Sequence, residues 1–223
     1  MKRLVVPELL DSDSGSAPEV RAALEDLGRI NRWFGGVSTT LTLLDRVVDR
    51  TRLRQLSLLE VASGSADVPR AAISHLRQRQ VQLATTSLDR SFSHLESNGR
   101  HAVVGDALHL PFDDNSFDLV SCGLFAHHLE PAEMVQFACE GLRVARVALL
   151  VNDLVRSRLH LVLVYAGLPL WRSRLTRHDS VASVRRSYTP EELCALIERA
   201  GAPALEVVRH YLFRMGVIAW KHV

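Results

Sequence analysis

Two strand-like segments close the chain, Leu205–His210 and Phe213–Lys221, with only Tyr211 and Leu212 between them. A crossover between parallel strands needs a dozen residues or more, so these two must pair as an antiparallel hairpin. Upstream the rhythm is different. Short apolar runs at Leu56–Val61, Val81–Leu88, Ala102–Val104, Phe117–Leu124 and Val144–Val151 alternate with helical periodicity over Asp67–Arg79, Ser91–Glu96 and Pro131–Leu142. That alternation predicts a mostly parallel sheet with helices on both faces. A parallel sheet ending in an antiparallel hairpin is unusual among dinucleotide-binding domains, and this restricts the choice of fold.

Around this core the chain divides in a simple way. Residues 1–55 read as an N-terminal tail and helical cap, with the first sixteen residues expected to be mobile because Asp11–Ser16 is a polar cluster. A helix is expected from Pro18, carrying Val20, Leu24, Leu27 and Ile30 on one face. Gly35-Gly36 breaks it, and Ser38 is the expected cap of a second helix through Leu41, Leu44, Val47 and Val48. Residues 56–223 form the α/β domain. Its rhythm is interrupted at about 154–187 by an apolar run and an arginine-rich stretch. Thr189-Pro190-Glu191-Glu192 then restarts it as a capping box, and Gly201 ends that helix.

Composition narrows the function classes. With 223 residues, 47% of them hydrophobic, one domain can bury a sizeable core. A net charge of +2 gives no reason to expect nucleic-acid binding. Cys122, Cys139 and Cys194 lie far apart without metal-ligand spacing, so reduced thiols and no metal are expected. The short apolar start before Pro7 is no secretory leader, and the run Leu159–Leu170 is too short to span a bilayer. The expectation is a soluble, cytoplasmic protein with at most peripheral membrane contact.

The sharpest chemical signal is Leu58-Leu59-Glu60-Val61-Ala62-Ser63-Gly64-Ser65-Ala66-Asp67. An acidic residue ends a strand, small residues turn the chain, and a helix N-terminus offers free N–H donors to a ligand. Asp89-Arg90 follows the second strand, where a carboxylate can accept from both hydroxyls of a ribose. Gly105-Asp106-Ala107-Leu108-His109-Leu110-Pro111-Phe112 precedes Phe117-Asp118, with Asp106 placed to accept from an adenine amino group and Ala107 and Leu108 to pack on its ring. Each feature alone has an ordinary structural explanation, as strand end, cap or turn. Their order is what carries weight.

That order resembles the class I S-adenosylmethionine (SAM)-dependent methyltransferases, especially the small-molecule branch typified by ubiquinone and menaquinone biosynthesis. The resemblance covers Leu56–Leu150, with Tyr188–Leu193 and the final hairpin in support. It implies a Rossmann-like, doubly wound, seven-stranded sheet, with an N-terminal helical extension and a helical insertion after the fifth strand. It also implies SAM as cofactor, S-adenosylhomocysteine (SAH) as product, and cofactor binding by Glu60, Ala62, Ser63, Gly64, Asp89, Arg90, Asp106, Ala107 and Leu108. The first loop departs from the family pattern. Ala62 and Ala66 replace two of three glycines, and the Ala62 methyl would crowd the methionine portion of SAM.

The acceptor side is read from the strand ends. Phe125-Ala126-His127-His128 follows the fourth strand at its C-terminal end, where open α/β sheets bind ligands. His127 and His128 are therefore the candidate catalytic residues, as acceptor contacts or as the base. Asp153, His160, Tyr165 and Arg174 are candidate substrate residues. The insertion is the expected substrate lid, with Leu159–Tyr165 as an apolar wall and Arg156, Arg158, Arg172, Arg174, Arg177, Arg185 and Arg186 as a cationic rim. Such a site suits a small, partly apolar acceptor carrying an anionic group, methylated on O or C. The alternative is a non-catalytic binding or assembly protein that keeps the fold with a degenerate cofactor loop. A nicotinamide dehydrogenase conflicts with the hairpin, and an RNA methyltransferase lacks aromatic residues interleaved with the arginines.

Overall fold

The computed structural model describes residues 1–10, 15–64, 66–90 and 101–222. Two helices, α1 (Ala17–Trp33) and α2 (Gly36–Thr51), precede β1 (Gln55–Val61), α3 (Asp67–Gln78), β2 (Gln82–Asp89), β3 (Ala102–Val104) and β4 (Phe117–Gly123). Next come α4 (Pro131–Val144), β5 (Ala145–Leu154), α5 (Arg158–Gly167), α6 (Arg174–Arg186), α7 (Pro190–Arg199), β6 (Ala204–His210) and β7 (Arg214–Trp220). The seven strands form one sheet in the order β3-β2-β1-β4-β5-β7-β6. The first five are parallel, and β7 runs antiparallel to both β5 and β6, as the short final connection requires.

Strand periodicity of two sorts the core into two layers. Leu59, Val61, Val120, Leu149, Val151 and Val217 face α4 and α7, while Leu58, Leu119, Leu150 and Ile218 face α2 and α3. Asn152 fastens α2 to the sheet, donating from Nδ2 to Gly36 O at 2.6 Å and to Thr40 Oγ1 at 2.9 Å. The strand β5 extends to Leu154, beyond the expected Val151, because the antiparallel β7 continues the ladder through Asn152↔Gly216 to Leu154↔Arg214.

Three local expectations are corrected. Ser38 does not cap α2; Gly35 does, with φ +82, and the Ser38 hydroxyl donates to Gly35 O from inside the first turn. The stretch Leu159–Tyr165 is an apolar wall on one face only: Leu159 and Val162 are about 60% exposed, because α5 packs on its neighbours through the other face. Residues 1–10 are not a loose tail. Arg3 donates to Arg186 O, His127 O and Leu129 O, Leu4 N donates to Arg185 O, and Leu9 N and Leu10 N donate to the Asp179 carboxylate. These contacts lay the segment as a strap across the insertion. The predicted helix Ser91–Glu96 lies outside the described residues, as do residues 11–14 of the polar cluster. Among the described residues no helix is long and apolar enough to cross a membrane.

The junction of α1 and α2 sets where the helical cap sits over the sheet. A Cβ on Gly36 would lie 2.9 Å from Asn31 Cα, which is backbone and cannot rotate away. Gly36→Ala should therefore cost about 1–3 kcal/mol, as overpacking does. Urea denaturation at neutral pH checks this; a midpoint equal to that of the wild type would show that the junction opens freely.

Candidate functional site

The turn from β1 to α3 is built from left-handed residues. Ala62, Gly64 and Ala66 have φ of +54°, +48° and +55°. Glycine adopts this conformation freely, whereas a Cβ makes it cost roughly 1–2 kcal/mol. The two alanines thus hold a glycine conformation against their own preference. Backbone ties enforce it: Ser63 N donates to Leu88 O at 3.2 Å, Gly64 N to Asp89 Oδ2 at 3.1 Å, and Ala66 N to Ser63 O at 2.9 Å. Among the described residues a Cβ on Gly64 would meet nothing within 4 Å, and Gly64 lines a cavity.

Glu60 ends β1 beneath this turn and is buried. Burial pushes its carboxyl up to about 7, and the hydrogen bond donated by the Ser121 hydroxyl only partly opposes this. A carboxyl poised this way is short of positive charge. Asp89, at the end of β2, is buried beside the turn. Asp106 follows β3 and uses Oδ1 to accept from Leu108 N at 2.9 Å, the turn-forming role its residue type favours. Glu60, Ala62, Ser63, Gly64, Asp89, Arg90, Asp106, Ala107 and Leu108 all line one cavity of about 1090 Å³.

The other half of the cavity centres on His127. Its short 3-10 turn, Ala126–His128, leaves the end of β4 and faces the end of β5. Nδ1 donates to Asp153 Oδ1 at 2.7 Å, and Asp153 also accepts from the backbone N of His127 and of Leu154. Nε2 lies 3.4 Å from Glu8 Oε1 but off the direction of a hydrogen bond, so this is a charge contact. Burial alone would depress the imidazole; Asp153 and Glu8 together override it and push it up to about 10. Burial likewise would raise both carboxyls, yet their ionic partners hold Glu8 and Asp153 below the usual range. His127 is therefore an imidazolium between two carboxylates at neutral pH. In that form both ring nitrogens carry hydrogen and act as donors. His128 is more exposed, lines the cavity and has Nε2 3.7 Å from Glu8 Oε2. The ligand atoms of Glu8, His127 and His128 lie within 4.8 Å of one another, but a cation could bind there only by displacing the proton from His127.

The remaining expected substrate residues separate. His160 lines the cavity, its Nδ1 3.0 Å from Val155 O and its ring stacked on Phe213 at 4.9 Å. Burial holds its pKa below the ordinary histidine value. Asp153 sits behind His127 and is not on the wall. Tyr165 and Arg174 do not line the cavity; Tyr165 accepts from Arg185, and Arg174 pairs with Glu19 at 2.6 Å. The cationic rim is likewise largely spent on structure. Arg156 binds Met1 O, Ser187 O and Glu192, Arg177 binds Trp171 O, and Arg186 binds His128 O.

Glu8 and Arg214 are charged cavity residues that the sequence reading missed. Glu8 reaches the site only through the strap, and nothing local distinguishes Pro7-Glu8-Leu9 from an ordinary tail. Arg214 did leave a trace, since it is the one charge in the otherwise apolar strand Arg214–Trp220.

Residues 59–148, less than half of the chain, match a family model described as a methyltransferase domain. No curated protein matches the chain. The solved structure of the plantazolicin methyltransferase BamL, in complex with a triazolic desmethylPZN analogue and SAH, is similar with a TM-score of 0.70 at 14% identity. That likeness covers 96% of this chain and 94% of BamL. The plantazolicin methyltransferase BpumL gives the same coverage and TM-score at 12% identity. Human N-acetylserotonin methyltransferase in complex with SAM matches at 14% identity and TM-score 0.64, covering 92% of this chain and 57% of the human one. At these identities the structural likeness establishes the fold.

Glu60 gives a testable pH dependence. Its pKa is about 7 in the folded chain and near 4.5 when unfolded, so the folded state binds the extra proton between these values. Stability from this group is present below about 4.5 and is lost as pH rises through 7. Glu60→Gln should therefore be more stable than wild type at pH 8, by up to about 3 kcal/mol, with the gap closing toward pH 4.5. Urea denaturation at pH 5, 6.5 and 8 measures the gap; one that is constant across pH would refute the buried, uncompensated carboxyl.

Proposed function

We propose, from the premise that residues 59–148 are a class I SAM-dependent methyltransferase domain, that the chain transfers a methyl group to an O or C atom of a small, partly apolar acceptor. The observation that carries this reading is the shared cavity. The β1–α3 turn, Asp89 and Asp106 line one part, while His127, His128 and His160 line another part of the same cavity. Its volume of about 1090 Å³ exceeds the usual range for a single small ligand, and suits a cofactor together with an acceptor.

The residues fit the cofactor. Asp89 offers a buried carboxylate for ribose hydroxyls, Gly64 lines the cavity, and Glu60 lacks the positive charge that a sulfonium or ammonium brings. SAM supplies an electrophilic methyl group with a good leaving group. The protein's part is then to orient the acceptor, exclude water and receive a proton where the acceptor must lose one. His128 is the proposed proton acceptor, and the His127–Asp153 pair holds its turn in place. The strap, α1 and the insertion enclose the acceptor side. The reading is of a cytoplasmic enzyme whose cysteines are free thiols.

Calorimetric titration with SAM and with SAH tests this, with NAD as control. Micromolar binding of both, lowered at least tenfold in Asp89→Ala, is the expected result. Binding of SAM should also release protons near pH 7, because the cofactor's positive charge lowers the pKa of Glu60. Titrations in buffers of different ionisation enthalpy detect that release. No binding of either ligand at millimolar concentration would exclude the methyltransferase reading.

A further inference from the structure

Arg214 opens β7 opposite Leu154, at the C-terminal end of β5. It is 1% exposed, yet it forms part of the cavity wall. Its Nε donates to Phe34 O at 3.1 Å. Nη1 and Nη2 have no hydrogen-bond partner among the described residues. Burial pulls this guanidinium down to about 10, opposed by Asp153. At neutral pH it stays charged.

Asp153 does not complete the arginine's bonding. Its oxygens already accept from His127 Nδ1, His127 N and Leu154 N. Among the described residues the site therefore holds a desolvated cation with its two terminal nitrogens unspent, and leaving such donors unpaired is destabilising. The backbone leading to it is strained too, since Leu212 and Phe213 have φ of +55° and +61°. Bulky residues in that region persist only where the surroundings impose it.

We propose that Arg214 is the anchor for a carboxylate on the acceptor, gripping it through Nη1 and Nη2. This rests on the methyltransferase reading and names the acceptor class. A guanidinium presents two parallel N–H groups matched to a carboxylate's two oxygens, a pairing stronger and more directional than a single charge contact. Strand order assigns the anion to the acceptor rather than to the cofactor. Asp89 is on β2, and β1, β4 and β5 lie between it and β7. At about 4.8 Å per strand, Arg214 stands roughly 19 Å from the ribose-binding carboxylate along the sheet. The surrounding wall of Phe34, Leu163, Val164, Trp171 and Phe213 is apolar. An apolar body carrying a terminal carboxylate is the ligand this combination recognises.

The test uses the full chain and probes matched in shape but not in charge. 2-Naphthoate and decanoate are titrated against their primary amides, with SAH present, into wild type, Arg214→Met and Arg214→Lys. At least one acid should bind wild type tenfold or more tighter than its amide, the size expected of charge-assisted hydrogen bonds. Arg214→Met should abolish that preference, and Arg214→Lys should keep only part of it. SAH affinity should change less than twofold in either variant. The Tm of Arg214→Met should not fall, since a buried unpaired charge has been removed. Equal binding of acid and amide by wild type, or no binding of either acid at 10 mM, overturns the proposal. So does an acid preference that survives in Arg214→Met. The acid–amide comparison in wild type stands even if a variant fails to fold, and it is read separately from SAH binding, whose loss would instead count against the methyltransferase reading.

Discussion

The imidazolium of His127 between Asp153 and Glu8 holds the acceptor half of the cavity together. It ties together three parts of the chain: the turn after β4, the end of β5 and the N-terminal strap. A charge buried this deeply is tolerable only when it is paired. The pairing in turn fixes what each part can do. Asp153 must stay behind the ring, Glu8 must reach in from the strap, and the strap must lie across α6. Ser183 on α6 reinforces the last of these by donating its hydroxyl to Glu8 at 2.8 Å. One ion triad therefore links the sheet to the lid, and the shape of the cavity follows from it.

Costs retained by the fold collect on the same cavity. Glu60 is buried with too little positive charge around it, Arg214 with too little negative charge, and Ala62 sits in a glycine conformation. None of these improves packing, and each would be relieved by a simple substitution elsewhere in a protein. Their positions are complementary. The electron-rich carboxyl lies in the part suited to a cationic cofactor, and the electron-poor guanidinium lies across the sheet from it. Three such departures from local rules meet around one cavity, as functional sites commonly show.

What was legible in the sequence was what local chemistry decides. Alternation of strands and helices, the hairpin forced by a short connection, the start of α1 near Pro18 and the capping box at α7 depend on neighbours within a few residues. The cavity-lining set from Glu60 to Leu108 was legible for a related reason, because strand ends in a parallel sheet all open on one edge. Ser38 misled because Gly35 can adopt a left-handed cap that no other residue type would take as cheaply. The strap and Glu8 were not legible at all. Their anchors, Arg186, Asp179 and Leu129, lie more than a hundred residues away, and no local pattern announces them.

The arginines of the insertion show how charge in a sequence differs from charge at a site. Read as a list, Arg156, Arg174, Arg177, Arg185 and Arg186 suggest a cationic rim ready for an anion. In the fold their donors are largely spent on main-chain carbonyls and on Glu19, Glu192 and Tyr165, where they close helix ends and pin the strap. Such an arginine contributes little to ligand recognition, because a ligand must first displace a bond already made. Arg214 is the opposite case. It was a single charge in an apolar strand, and its two terminal nitrogens have no partner among the described residues. For recognition inside a cavity, the number of cations nearby matters less than whether one of them is both desolvated and unsatisfied.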